Sequence, residues 1–596
     1  MYRRANMYVK RHSVQRGKNR YVYLRLVEAF RTESGQVRHR VLANLGREDL
    51  LKSSGQLDQL AASFTRLDPP AVGTRREVGT LLLVQHYLNK LELAKIVDQA
   101  VPMRGRAFLT HGEVISALVA NRLSAPSPLY DVAGWASSSA MAELFHTPAE
   151  LLNDDRLGRA LEALAPVAEQ VRSAAALTAI RKCDVVDATR LHLDLTTVRF
   201  SGAYERSSLV AKGWGADRRV ARQIRAEQAT TSNGVSLYFR PHPGSCAEVN
   251  VLSQALERLS KELPAAPLVV ADSALGHLGN LCAAHRTGAR FIVPLRANTG
   301  WLDRFVQDVG ALDALHDLDY VSQREQTFPP DRRTRWRGLL QPWPVVDPVT
   351  ETPIDLRVAF IWSSEEAASV SAARQRALEK ACAALTRIGN GLGRRYYKTQ
   401  QTVDAKIAKV VDPQLSSLIR ITTGTDDSGK PTLEWTLDEE AIRQAGRFDG
   451  LYAVATNRCD PPHRSLTAHD VLVLYKDQWL VEQRHRDLKQ TLRVRPVFLH
   501  NDDRILALAS VLGLALLVFS LIEADLRARL DDKRTLPGLL PERRAAKPTG
   551  RSILNAFAGL GLTYTRKGIA LDPLTSTQRQ ILELLNIPLP WLEAAS

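Results

Sequence analysis

The feature that most constrains the fold is an uncharged run of 18 residues, 505–522. As a helix, a run of this length is about 27 Å long, close to the lower limit for crossing a bilayer. It contains Ser510, Gly513 and Ser520, and charged residues flank it closely on both sides. The sequence has no second run of this kind. We therefore predict a helix buried in a protein core, and no membrane partner.

Charge and cysteine content narrow the class of protein. The 596 residues include 80 Lys and Arg against 64 acids, a net charge of +16 that is typical of proteins with a polyanionic partner such as nucleic acid. Residues 1–40 alone contain eleven basic and two acidic residues. The five cysteines lie at least 36 residues apart, which excludes a disulfide framework and Cys-x-x-Cys zinc sites. Because no apolar segment of a signal peptide follows Met1, we expect a cytoplasmic protein.

Hydrophobic periodicity predicts several kinds of local structure. Residues 21–26 and 37–42 read as strands on either side of a turn at Ser34-Gly35. Helical spacing follows at residues 81–93, 112–123 and 156–171, the last split by Pro166. Strand patterns at 191–200, 235–239, 267–272 and 291–295 interleave with a helical pattern at 249–263. This alternation predicts an α/β domain with a mixed sheet.

Two of these strands carry an aspartate in a position suited to chemistry. Asp194 lies within an apolar strand, on the same face as His192 and Thr196. Asp272 lies at the carboxyl end of another strand, where open α/β sheets bind their ligands. Capping of a strand end explains either aspartate equally well when it is taken alone.

A third acid lies on a helix predicted over residues 467–492, which begins with the capping-box pair Thr467 and Asp470. At 100° per residue, four polar side chains share a stripe about 60° wide. These are Tyr475, Gln478, Glu482 and Lys489. Such a stripe suits a face that handles phosphate, and an ordinary amphipathic helix also has this pattern. Together with the two strand aspartates, Glu482 can hold two hard cations through oxygen ligands.

These three pieces resemble the DDE transposases of bacterial insertion sequences, whose core has an RNase H-like fold. The strands around Asp194 and Asp272 are similar to the two strands that carry the first two acids of that family. The run Tyr475-x2-Gln478-x3-Glu482-x6-Lys489 matches the Tyr-Arg-Glu-Lys signature of one branch in spacing and in three of four residues. Gln478 stands where the branch has arginine, so a charged, bidentate phosphate donor is absent at this position.

The resemblance implies that Asp194, Asp272 and Glu482 are catalytic and bind two Mg²⁺ ions, for which Mn²⁺ can substitute. It implies that Tyr475, Gln478 and Lys489 contact DNA. The expected activity is cleavage and strand transfer at the ends of the protein's own element. The expected partners are double-stranded DNA, both element ends and target, and a second copy of the chain on that DNA.

The expected fold class is α/β, an RNase H-like core with a large, partly β insertion. The predicted segments are a basic N-terminal β unit that contacts DNA (1–60), a helical and DNA-binding domain (75–185), the first part of the core (186–300), the insertion (301–466), the C-terminal helices of the core (467–530) and a tail (531–596). Glu482 comes 210 positions after Asp272, which leaves room for the insertion, and the insertion has five of the nine tryptophans. Related enzymes stack a flipped base on an aromatic ring.

Two alternatives from other classes remain open. One is a non-catalytic DNA-binding protein derived from a transposase, which would have no need of all three acids. The other is a structure-selective nuclease of the RNase H fold, which would cut without regard to the sequence of an element end. Nicking of an element end in the presence of Mg²⁺, measured beside a gel shift of the same DNA, discriminates between these possibilities.

Overall fold

A computed structural model of the chain describes residues 6–16, 19–31, 37–53, 70–102, 108–215, 219–263, 265–458, 465–492, 499–530, 535–540, 542 and 544–593. Helices and strands occur along the whole described length, and a large sheet is present. The expectation of a mixed α/β fold is thus confirmed.

The N-terminal segment is an antiparallel sheet of three strands followed by a short helix. Its elements are β1 (Asn6–Arg16), β2 (Asn19–Arg31), β3 (Val37–Arg47) and α1 (Glu48–Ser53). The strands pair in the order β1-β2-β3. The two strands predicted here lie within β2 and β3 and are confirmed, while the turn at Ser34-Gly35 lies outside the described residues.

Helices dominate the next segment, after one short strand. Its elements are β4 (Arg75–Glu77), α2 (Leu81–Lys90), α3 (Leu93–Ala100), α4 (His111–Ser124), α5 (Val132–Ser138), α6 (Met141–Phe145), α7 (Asp154–Leu164) and α8 (Ala168–Lys182). The predicted split at Pro166 is confirmed, because a single 3-10 turn separates α7 from α8. Thr110 and Glu113 form a capping box that starts α4.

The segment with the two aspartates alternates strands and helices. Its elements are β5 (Arg190–Arg199), β6 (Ala211–Trp214), β7 (Val220–Thr231), β8 (Ser236–Pro243), α9 (Glu248–Glu262), β9 (Leu268–Ala271), α10 (Leu278–Arg286) and β10 (Arg290–Pro294). Each strand and the helix predicted in this region are confirmed.

The segment expected as an insertion contains both strands and helices. Its elements are α11 (Trp301–Asp308), β11 (His316–Leu318), β12 (Trp336–Val346), β13 (Pro353–Ser363), α12 (Ser364–Gly389), α13 (Gln400–Val410), β14 (Ile419–Thr425), β15 (Pro431–Leu437), α14 (Glu439–Ala445) and β16 (Leu451–Thr456).

The C-terminal part is mainly helical. Its elements are α15 (Ala468–Lys476), α16 (Trp479–Arg486), a π-helical turn (Asp487–Thr491), α17 (Asp502–Ala528), α18 (Gly550–Ala556), β17 (Gly561–Thr565), β18 (Gly568–Leu571), α19 (Ser576–Leu584) and β19 (Leu592–Glu593). The capping box of Thr467 and Asp470 is confirmed at the start of α15.

The prediction of one helix over residues 467–492 is wrong. The helix stops at Lys476, and three-residue hydrogen bonds replace the α-helical pattern: the Gln478 N–H donates to the Tyr475 carbonyl and the Leu480 N–H to the Asp477 carbonyl, each at 3.1 Å. The Asp477 carboxylate pairs with Arg190 at 3.1 Å. A tertiary ion pair thus lies at the interruption, and the sequence periodicity of the segment does not reveal it.

The chain divides into two compact units. The first contains Met1–Asp187, Leu195–Cys246 and Val481–Ser596, and the second contains Ala188–Asp194 and Ala247–Leu480. Strand β5 therefore contributes residues to both.

The first unit has α17 in its core. This helix contacts β8, α2, α4, α7, α8 and α18. Gly513 lets β8 approach closely, because a Cβ atom there would lie 2.7 Å from the ring of Phe239. Although α17 is long and apolar enough to cross a membrane, 94% of its most apolar window is buried inside the protein. The prediction of a core helix over residues 505–522 is confirmed.

The second unit is organised on seven strands of the large sheet, in the order β11-β12-β13-β16-β10-β9-β5. Strands β5, β9 and β10 are parallel, and the other pairs are antiparallel. Helix α15 packs on this sheet through a hydrophobic cluster that includes Val270, Ile292, Ile361 and Leu472. Four strands of the expected insertion thus continue the sheet that carries the aspartates.

A second cluster in this unit joins α12, α13, α14, β14 and β15. Leu378 and Leu385 of α12 pack with Leu415, Leu418 and Ile419 there. This part of the expected insertion therefore has its own small core. The boundaries 301–466 themselves stay a prediction.

We expect Leu512→Arg to destabilise the protein by at least about 4 kcal/mol, because it places an unpaired charge inside the core. Leu512 is 3% exposed. Leu302→Arg is the matched control, since Leu302 is an exposed leucine on the surface of a helix. Urea unfolding measures both, and normal stability of Leu512→Arg would contradict the position of α17 in the core.

Candidate active site

Two aspartates lie at matching positions of neighbouring parallel strands of the second unit, Asp194 within β5 and Asp272 directly after β9. Leu193 of β5 pairs in register with Ala271 of β9, and Asp194 and Asp272 are the next residues on the two strands. Neighbouring strands lie about 4.8 Å apart. Because the backbone of Asp272 is still extended, both side chains point to the same face of the sheet. Asp272 also lies at the carboxyl end of β9, the end at which parallel strands bind their ligands.

The surroundings of Asp272 disfavour the charged form of its carboxyl group. Burial raises its pKa, and the charge of Glu248 acts in the same direction. The Ala274 N–H, which donates to Asp272 at 2.8 Å, and the charge of Arg296 oppose this shift without cancelling it. A cation beside the group would therefore be favoured, because it would stabilise the charged form.

The loop after β9 holds Asp272 in place. A Cβ atom on Gly276 would lie 2.0 Å from the Pro294 carbonyl oxygen, so only glycine allows the loop to pack against the end of β10. Arg296 reinforces the contact: its N–H donates to the Gly276 carbonyl at 3.0 Å and its Nε to the Ser273 carbonyl at 2.8 Å. Asp272 also caps the turn that follows, as the capping alternative predicted.

His192 occupies the same face of β5 as Asp194, two residues earlier. Its side chain is fully buried, and neither ring nitrogen has a hydrogen-bond partner in the described part of the chain. Burial, together with the charge of Arg190, lowers its pKa to about 3. A neutral imidazole therefore lies next to the acid along the strand.

The remaining predicted site residues divide between the units. Tyr475 and Gln478 are half-buried residues of the second unit, whereas Glu482 and Lys489 are exposed residues of the first. Because the helix is interrupted at 477–478, the sharing of one stripe by all four side chains stays a prediction. The structure thus brings Asp194 and Asp272 together, and the three-acid site with Glu482 stays a prediction.

Tyr475 lies at the edge of the hydrophobic cluster under α15. Its ring is 6.3 Å from that of Tyr452. The Lys476 ammonium lies over the rings of Tyr475, at 5.8 Å, and Trp336, at 4.7 Å. Burial lowers the pKa of Lys476. The aromatic side chains here pack against the core.

The tryptophans of the expected insertion are mostly interior. Trp301, Trp336 and Trp343 are buried, and Trp362 donates a hydrogen bond to the Asp449 carbonyl at 2.9 Å. Trp362 is half-buried, and so is Trp435, which lies at the edge of the small core of α12–α14. Anchoring in cores accounts for most of these side chains.

Metal-binding capacity rests on the aspartate pair. Among the residues that the structure describes, no three His, Cys, Asp or Glu side chains form a group able to hold an ion by themselves. Asp194 and Asp272 supply the oxygen ligands that a hard divalent cation prefers, and a partly dehydrated carboxylate at Asp272 suits such an ion. The pair therefore fits a Mg²⁺ ion as part of a larger ligand set.

Sequence reasoning missed a buried ion pair in the first unit. Arg484 and Glu523 are each 1% exposed, and two guanidinium nitrogens contact the carboxylate at 3.0 and 3.1 Å. Arg484 also donates to Asp487 at 2.8 Å and to the Gly234 carbonyl at 2.6 Å. The available signals were an arginine on the apolar side of the segment and a glutamate directly after the uncharged run.

This pair joins α16 to the core helix α17. Burial alone would raise the pKa of Glu523, but the charges of Arg484 and Arg527 outweigh it and lower the pKa. Glu523 also accepts a hydrogen bond from the Gly550 N–H at 2.7 Å. Because Arg484 lies two residues after Glu482, the pair fixes the position of the helix that carries this acid within the first unit.

Comparison with known families adds three matches along the chain. Residues 9–71 match the IS1634 family transposase N-terminal domain, residues 74–171 match a domain of unknown function (DUF4277), and residues 185–518 match the transposase DDE domain. No curated protein matches the chain. The third match covers more than half of the 596 residues and includes Asp194, Asp272 and Glu482.

We expect Arg484→Met to destabilise the protein by about 3–5 kcal/mol, because it leaves the buried Glu523 carboxylate without its main partner. Arg486→Met is the control: Arg486 is exposed on the same helix, and its loss should change stability by no more than about 0.5 kcal/mol. Adding Glu523→Met to Arg484→Met should recover part of the loss. Equal urea-unfolding midpoints for Arg484→Met and Arg486→Met would disprove the role of the pair.

Proposed function

The chain belongs to the DDE transposases of bacterial insertion sequences, and from this premise we propose that it cuts and joins DNA at the ends of its own element. The catalytic acids in this proposal are Asp194, Asp272 and Glu482. The core that carries them has an RNase H-like fold, and the chain is of the branch with the Tyr-Arg-Glu-Lys signature.

The observation that carries the proposal is the register of β5 with β9. Asp194 and Asp272 occupy matching positions on one face of the sheet, although 77 residues separate them along the chain. A structural cap would need only one of them. Two neighbouring carboxylates on one face are the arrangement that phosphoryl transfer with divalent metal ions requires.

Asp194, Asp272 and Glu482 would together hold two Mg²⁺ ions, with Mn²⁺ as a substitute. When bound, such ions polarise the scissile phosphate and favour an attacking oxygen and a leaving oxygen in line with it. The neutral His192 adds no charge that would compete with the ions. The loop fixed by Gly276 holds the Asp272 carboxylate at the carboxyl end of β9.

Lys489, an exposed cation, would neutralise a phosphate of the bound DNA. Gln478 would offer an amide donor where related sequences have arginine, and Tyr475 would contact the backbone through its hydroxyl group. Joining two ends in one complex needs two active sites, so the working form would be a homodimer on DNA. Its place of action would be the cytoplasm, where the DNA is.

The N-terminal sheet is suited to phosphate contacts. Lys10 and Arg25 stand directly opposite each other on β1 and β2. Like charges in this position are unfavourable unless an anion neutralises them. We assign to residues 1–46 a contact with DNA phosphates.

We expect Glu482→Gln to abolish nicking of a labelled element end in Mg²⁺, because the variant lacks one anionic metal ligand. Asp194→Asn and Asp272→Asn should have the same effect, and their combination should add little, as for residues that act as one unit. A gel shift of the same DNA should persist in each variant. The labelled DNA is taken from the sequence flanking the gene.

Glu583→Gln is the matched control for this test, since Glu583 is an exposed glutamate on α19 of the same unit. It should cut normally. Normal nicking by Glu482→Gln would remove this residue from the triad. A gel shift without nicking by the wild type would instead favour a non-catalytic binder, and cleavage of any sequence would favour a general nuclease.

We expect deletion of residues 1–46 to weaken binding of element ends and to reduce its dependence on salt. Each lost phosphate contact makes the negative slope of log K against log salt shallower by about 0.9. Lys10→Gln with Arg25→Gln should produce a smaller change in the same direction. Fluorescence anisotropy over a salt series measures both. An unchanged affinity and slope in the deletion variant would refute the assignment.

A further inference from the structure

A glycine-rich loop between α12 and α13 has no part in the proposed triad. It runs Gly389-Asn390-Gly391-Leu392-Gly393 and continues as Arg394-Arg395-Tyr396-Tyr397-Lys398. It follows a helix and lacks the Lys-Ser/Thr of a phosphate-binding P-loop. We call residues 387–409, the end of α12 through α13, the basic tip. The basic tip has six Lys or Arg and one Asp, and all seven of these side chains are exposed.

The basic tip has a defined shape. Gly393 has a φ of +77°, and its N–H donates to the Tyr397 carbonyl at 2.9 Å. Gly391 lies against the Tyr397 ring, because a Cβ atom there would come within 2.6 Å of the ring. The Arg394 N–H donates to the Gly391 carbonyl at 3.0 Å and the Tyr397 N–H to the Arg394 carbonyl at 2.9 Å. The loop is therefore organised in advance, by the left-handed backbone of Gly393 and by the close contact of Gly391 with the Tyr397 ring.

The helices on either side are anchored below the loop. Leu378 and Leu385 of α12 and Ile407 of α13 pack into the small core of this region. The charged side chains of the basic tip consequently stand on a rigid base, which reduces the entropy lost when they bind a partner.

The cations of the loop are available for an outside partner. Among the described residues, no carboxylate forms an ion pair with Arg394, Arg395 or Lys398. Other arginines in the same unit do pair, such as Arg374 with Asp449 and Arg420 with Asp438.

The carboxylates near the basic tip bond to neutral groups beside them. Asp404 accepts a hydrogen bond from Gln400 at 2.8 Å. Asp426 accepts hydrogen bonds from Ser428 and from the Lys430 N–H within its own turn, and Asp427 is exposed in that turn. The six Lys or Arg of the basic tip outnumber its single Asp, so the basic tip has a net positive charge.

An exposed aromatic side chain lies among these cations. Tyr396 is 67% exposed, and the Arg395 guanidinium lies 5.7 Å from the centre of its ring. Cations beside an aromatic face are the combination that binds nucleic acid without reading its sequence: the cations take phosphates and the ring stacks on an unpaired base. An acidic peptide would engage the cations alone.

We propose that the basic tip is a second DNA contact of this protein, with Arg394, Arg395 and Lys398 on phosphates and Tyr396 stacked on an unpaired base. This inference rests on the proposed function, since it takes the DNA to be the substrate of strand cleavage. It assigns to this part of the second unit the single-stranded segment that cleavage exposes.

The test compares two pairs of adjacent cations in the full-length chain. Arg394→Gln with Arg395→Gln removes two cations of the basic tip, and Arg566→Gln with Lys567→Gln removes two exposed cations from the β17–β18 turn as the control. Binding of duplex DNA is measured over a salt series. We expect the negative slope of log K against log salt to become shallower by about 1.8 in the first variant and to stay unchanged in the control.

Tyr396→Ala tests the stacking separately. We expect it to weaken binding of a fragment with a single-stranded overhang by roughly 5- to 150-fold and to leave blunt duplex binding unchanged. Tyr396→Phe should bind like the wild type, because the ring remains. Equal losses on both DNAs would overturn the stacking assignment.

Other outcomes overturn the proposal as a whole. One is a wild-type salt slope in Arg394→Gln with Arg395→Gln, and another is an equal fall in the control. Competition by poly-glutamate as strong as that by DNA would assign the basic tip to an acidic protein. Because binding is measured without cleavage, these results stay separate from the nicking tests of Asp194, Asp272 and Glu482.

Discussion

The uncharged run over residues 505–522 has to leave water, and the first unit is arranged around that requirement. Each large aliphatic side chain buried there contributes roughly 1.5–3 kcal/mol relative to an exposed one. Helix α17 meets this need by placing apolar residues on all sides against α2, α4, α7, α8 and β8. Gly513 allows the closest of these approaches, because any side chain there would collide with Phe239.

The same burial creates a demand for charge compensation at the end of the run. Glu523 is one residue beyond it and equally buried, so its carboxylate needs a cation. Arg484 and Arg527 supply that charge, and Arg484 extends from the helix that also carries Glu482. A solvation requirement of the core therefore determines where the candidate third acid lies within its unit.

In the second unit, strand register brings carboxylates together. Parallel pairing of β5 and β9 places two aspartates at matching positions on one face of the sheet, and the loop fixed by Gly276 keeps Asp272 partly buried. The charge of Arg296 only partly offsets the burial of Asp272, so the pKa of this carboxyl stays raised.

Local structure was readable in the sequence: the core helix at residues 505–522, the break at Pro166, the capping box at Thr467 and the strands that carry Asp194 and precede Asp272 all depend on neighbouring residues. The register that sets the two aspartates side by side depends on residues far apart in the chain, and so do two other features that only the tertiary structure decided. Arg190 pairs with Asp477 at the interruption of the helix that periodicity predicted as continuous, and Arg484 pairs with Glu523 inside the core. Long-range ion pairs and strand register leave no periodic signal, because their free energy arises only when distant segments meet.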